Sequence, residues 1–91
     1  MSQRVALIEQ RLRAALDPQA IAIRDDSDRH KGHAGAKESG GGHFKVRIVA
    51  AAFGGLSPLQ RHRRVNAALQ DLIPHEIHAL SIEALTPAED A

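Results

Sequence analysis

His43-Phe44-Lys45-Val46-Arg47-Ile48-Val49-Ala50 decides the fold of this chain. Phe44, Val46, Ile48 and Ala50 alternate with Lys45 and Arg47, the two-residue period of a strand with one buried face. Phe53-Gly54-Gly55 then supplies a turn, with both glycines in a structural role. Ser57-Pro58-Leu59-Gln60 matches a capping box with proline in the first helical position. The helix that follows is expected to bury Val65, Ala68, Leu69 and Leu72, and Pro74 is expected to close it. Ile77 to Ala84 reads as another strand. A strand, a helix and a strand in succession favour a right-handed crossover, so this last strand is expected to run parallel to 44–50.

Upstream, Ser2 can cap a first helix in which Val5, Ile8, Leu12 and Leu16 share one face. Asp17-Pro18 stops it, because proline disfavours helical geometry in the residue before it. Ile21 and Ile23 alternate with Ala20, Ala22 and Arg24, a short strand expected to pair antiparallel with 44–50. Residues 27–42 lose all periodicity to charge, glycine and histidine and read as a flexible loop. Thr86-Pro87-Ala88-Glu89 is a second capping box that leads into a single turn. The expectation is one α/β domain over 1–91: α-β-β-α-β, with a three-stranded mixed sheet and its helices on one face.

Ninety-one residues leave room for one core, and only Phe44 and Phe53 are aromatic, so Leu, Ile, Val and Ala must fill it. The net charge of +1 lacks the basic excess of a dedicated nucleic-acid coat. No long apolar run or leader pattern stands out, and a cytoplasmic chain that leaves membranes alone is expected. Cysteine is absent, which rules out a disulfide framework, a thiol nucleophile and a thiolate ligand from this chain. Metal chemistry must use its six histidines, or borrow thiolates from a partner.

The ordered set His43 to Val49, Phe53-Gly54-Gly55, Gln60-Arg61-His62-Arg63-Arg64-Val65 and Ile77-His78-Ala79-Leu80 resembles the BolA family over nearly the whole chain. The resemblance implies a domain like the class II KH fold. It also implies a non-enzymatic partner of monothiol glutaredoxins that shares a 2Fe–2S cluster in cluster assembly, trafficking or iron-dependent regulation. His78 then matches the family's invariant histidine and implies an iron ligand. His33 is the nearest match to the family's loop ligand, with His30 and His43 as alternatives. The glutaredoxin's cysteine and a bound glutathione thiol complete the four ligands, since imidazole can replace cysteine on one iron. Alone, the chain is expected to carry no cofactor and to be a monomer.

The residues by themselves allow plainer readings. His78, on a face with Leu80 and Ile82, could be a partly buried histidine with one satisfied nitrogen. His30 and His33 form an HxxH pair outside a helix, which fixes no geometry. His43 could cap the hairpin. His62, at the margin of the helix's buried stripe, reads as structural and hydrogen-bonded near Gly54-Gly55. His75 reads as exposed. A zinc or nickel site on His30, His33 and His43 would need further ligands.

A second function class is nucleic-acid binding, with transcriptional regulation as the BolA-type role. Arg61, Arg63 and Arg64 cluster at the start of the main helix, where backbone N–H groups favour phosphate. The same cluster could instead contact the glutaredoxin. Against DNA or RNA stand the near-neutral charge and the lack of a spare aromatic platform for bases. An enzyme is not expected: there is no supported Ser-His-Asp order and no phosphate loop, and Gly40-Gly41-Gly42 lacks a strand-to-helix context.

Overall fold

The computed structural model describes residues 3–26, 42–73 and 75–90. Helix α1 spans Gln3–Leu16, strand β1 Ala20–Asp25, strand β2 Gly42–Val49, helix α2 Pro58–Ala68, strand β3 Ile77–Leu85 and the short helix α3 Pro87–Asp90. One 3-10 turn, Ala51–Phe53, leads out of β2. The expected α/β architecture is present, with the last capping box opening α3.

Strand β2 lies at the centre of the sheet, antiparallel to β1 and parallel to β3. The register stacks Ile21, Ile48 and Ala84 in one row and Ile23, Val46 and Ile82 in the next. Ile8, Leu12 and Leu16 of α1 and Val65 of α2 join the same core cluster as Phe44, Val46 and Ile48. Both long helices therefore cover one sheet face. Being central, β2 is buried more completely than alternation alone implies: Val49, out of phase with Phe44, Val46 and Ile48, is buried as well.

The ends of the elements follow local chemistry. Asp17 closes α1 with φ of 47° and donates its N–H to the Arg13 carbonyl at 3.1 Å. Aspartate tolerates this left-handed geometry, and Pro18 then prevents the helix from continuing. Phe53 to Leu56 is a type II turn: Gly54 has φ −58° and ψ 132°, Gly55 has φ 77°, and Leu56 N–H reaches the Phe53 carbonyl at 3.1 Å. Only the second central position of that turn demands glycine. Ser57 Oγ accepts from the Gln60 N–H at 3.2 Å, and Gln60 Oε1 accepts from the Ser57 N–H at 2.8 Å.

Two boundaries differ from expectation. Helix α2 ends at Ala68, well before Pro74, because the bonding tightens from four-residue to three-residue spacing. Leu69 N–H reaches both Val65 and Asn66 carbonyls, and Leu72 N–H reaches the Leu69 carbonyl at 2.8 Å. Leu69 and Leu72 still enter the core, so the sequence pattern could not separate helix from tightened turn. Gly42 belongs to β2 rather than to the loop, with its N–H bonded to the Glu76 carbonyl at 3.1 Å.

Candidate functional site

Strands β2 and β3 are parallel, so His43 and His78 stand at the same end of the sheet. The pairing there is irregular: β2 advances by one residue, from Gly42 to His43, while β3 advances by two, from Ile77 to Ala79. His78 is the extra residue of a bulge, a device that re-aims side chains. Ile77 remains in the core at 1% exposure, Leu80 returns to it, and His78 and Ala79 are both exposed. The expectation that His78 shares a face with Leu80 and Ile82 is thus overturned by the bulge.

The redirected ring meets His43. Their centroids lie 5.3 Å apart with the planes inclined at 52°. His43 is half-buried, and its carbonyl accepts the Asp26 N–H at 2.7 Å. Residues 27–41, which carry His30 and His33, connect Asp26 to Gly42 and lie outside the described residues. No group of three or more metal-ligating side chains occurs among the described residues. Two adjacent imidazoles suit one metal position and leave its remaining ligands to come from elsewhere.

The arginine cluster divides. Arg61 is a structural residue: its side chain is only 13% exposed. Its Nε donates to the Leu56 carbonyl at 3.0 Å and its Nη1 to the Ala84 carbonyl at 3.1 Å. Nη1 and Nη2 also reach the two Glu89 carboxylate oxygens at 2.6 and 3.2 Å. It is therefore withdrawn from the expected contact surface, because its donors are spent inside the fold. The Arg61 bonds, with help from the Thr86 N–H, hold the Glu89 carboxyl down at about 2, against an ordinary 4.5. Arg63 and Arg64 are exposed and line a concavity of about 410 Å³ with Leu56, Gln60 and Ala67.

His62 corrects another expectation. It is exposed rather than structural, and its backbone carbonyl accepts from Asn66 Nδ2 at 3.0 Å. The inner line of α2 runs through Arg61, Val65 and Leu69 at four-residue spacing, which turns position 62 a further 100° toward solvent. His75 is exposed, as read from the sequence. Sequence reasoning missed the clamp role of Arg61; the capping box pointed to Glu89 but not to its second partner.

A family model described as BolA-like protein matches residues 12–89. BolA-like protein 1 of Bos taurus is 43% identical over 84 residues, covering 92% of this chain and 59% of that protein. The DNA-binding transcriptional regulator BolA of Vibrio cholerae is 37% identical over 83 residues, covering 91% of this chain and 74% of that one. The BolA domain of SufE1 from Arabidopsis thaliana superposes with a TM-score of 0.83 at 41% identity, covering 98% of each chain. The chain spans about three fifths of the length of the mammalian relatives it matches.

Proposed function

This chain belongs to the BolA-like family, and from that premise we propose that it is a non-enzymatic adaptor sharing a 2Fe–2S cluster with a monothiol glutaredoxin. The observation that carries this reading is the bulge that lifts His78 out of the core and sets it beside His43. An exposed imidazole held on a strand is available to a ligand that approaches from outside. The donor set fits a shared group: the chain offers imidazoles and no thiolate, so the sulfur ligands come from the partner and its glutathione. When bound, such a cluster supplies one-electron chemistry or a transferable iron–sulfur unit, and imidazole ligation raises its potential.

In this reading His78 is the strand ligand and His33 the loop ligand, with His30 as its alternative. His43 packs against His78 and restricts the ring's orientation. An imidazole must be neutral to bind iron, so protons compete with the cluster for these ligands. The experiment is visible absorption and circular dichroism of this protein mixed with a monothiol glutaredoxin, iron, sulfide and glutathione. The expected result is a spectrum distinct from that of the glutaredoxin alone, lost in His78→Ala and altered in His33→Ala. An unchanged glutaredoxin spectrum with folded wild-type protein overturns the reading.

A second reading is nucleic-acid binding through Arg63 and Arg64, favoured by their exposure beside a concavity and by similarity to the DNA-binding transcriptional regulator of Vibrio cholerae. Its mark is duplex affinity that falls steeply with salt and is lost when Arg63 and Arg64 are both replaced by glutamine.

A further inference from the structure

The sheet face opposite the long helices carries a second feature beside the histidine pair. Arg24 of β1 stands directly opposite Lys45 of β2, a like-charge juxtaposition that a sheet face avoids unless something offsets it. Both are exposed. With Arg47, Glu83 and Ala22 they line a concavity of about 220 Å³. The small side chains Ala22 and Ser81 flank Arg47 and Lys45 in the register and leave that space open.

The three cations are not equivalent. Arg24 bonds Asp26 at 2.7 Å, and Arg47 bonds Asp90 and lies 3.5 Å from Glu83. The Lys45 ammonium makes no ion pair or hydrogen bond among the described residues. It follows His43 by two positions on the same strand face, about 7 Å along. The concavity therefore offers an uncommitted ammonium, two guanidinium groups whose exposed ion pairs are weak, and one carboxylate at the rim.

We propose that this concavity binds a small peptide zwitterion bearing two carboxylates and one ammonium, with Lys45 as its principal anchor. The charges are complementary: Lys45 and Arg24 take a carboxylate, Arg47 the other, and Glu83 the ammonium. A ligand seated on Lys45 lies two strand positions from His43. Glutathione has this charge set, and its choice as the occupant rests on the cluster-sharing reading above.

The test is amide-resolved NMR titration of the iron-free chain with S-methylglutathione, which carries no free thiol. Inorganic phosphate and sodium chloride at matched ionic strength are the controls. The expected result is saturable shifts at 22–24, 45–47 and 81–83, weakened about tenfold in Lys45→Gln. Linear, non-saturating shifts overturn the proposal, as does a Lys45→Gln variant that keeps its spectral dispersion and titrates like wild type. Saturation by phosphate with equal affinity also overturns it, by making the patch a general anion seat. No iron is present, so failure here leaves the spectroscopic test of the cluster independent.

Discussion

Glu89 serves two partners at once: its carboxylate closes a capping box with the Thr86 N–H at 2.7 Å and receives both Nη atoms of Arg61. Arg61 in turn holds the Leu56 and Ala84 carbonyls. The end of β3, the start of α2 and the turn before it are thereby joined through one guanidinium.

Replacing Arg61 by alanine leaves the Leu56 and Ala84 carbonyls without this donor. A loss of about 1–3 kcal/mol is expected, read as a lower urea midpoint. Arg63→Ala and Arg64→Ala, both exposed, should stay within about 0.5 kcal/mol of wild type. Equal effects at all three positions would contradict the division of the cluster.

The same clamp gives an acid dependence. The Glu89 carboxyl is depressed when folded, so in the window from about 4.5 down to about 2 the unfolded chain binds the extra proton. The stabilisation is complete above that window and lost as pH falls through it. Urea midpoints of wild type and Glu89→Gln should therefore differ most above pH 4.5 and converge toward pH 2. Parallel curves would remove Glu89 from the acid response.

Gly55 sits at φ 77° in open space, whereas Gly54 has ordinary φ and a Cβ there would lie 3.2 Å from the Ala51 carbonyl oxygen. Gly55→Ala is expected to cost about 1–2 kcal/mol through backbone strain alone. Proline at 54 keeps the allowed φ but deletes the N–H that bonds the Ala51 carbonyl at 3.0 Å, so it should destabilise as well. Thermal melts of the two variants distinguish strain from lost bonding.

His78→Ala should leave stability within about 0.5 kcal/mol of wild type, because the ring is exposed and outside the core cluster. Chemical denaturation checks this, and a large loss would place His78 in a structural role.

What the sequence made legible is what neighbouring residues decide among themselves. The alternation of Phe44, Val46 and Ile48 marked β2, and both capping boxes could be read four residues at a time. The strand-helix-strand order led to the parallel pairing. Arg61 was misassigned because its partners come from Leu56, Ala84 and Glu89, brought together only by the crossover. His78 was assigned to the wrong face because a bulge interrupts alternation by one residue. The three-residue spacing of Ile77 and Leu80, both facing the core side, was the available sign. Lys45 read simply as the solvent half of a strand, since nothing in its own strand reveals that Arg24 stands opposite.

Ile77 pairs with Gly42 and Ala79 with His43, so the ladder on either side of position 78 would be continuous if that residue were missing. Removing it would leave Ile77 inward, Ala79 outward and Leu80 inward, an uninterrupted alternation. For the sheet, then, His78 is surplus: a single residue spliced into an otherwise regular strand. Its identity can be varied, or the residue deleted, without asking the core to repack. That separates the part of this chain that can evolve a new ligand from the part that must keep folding.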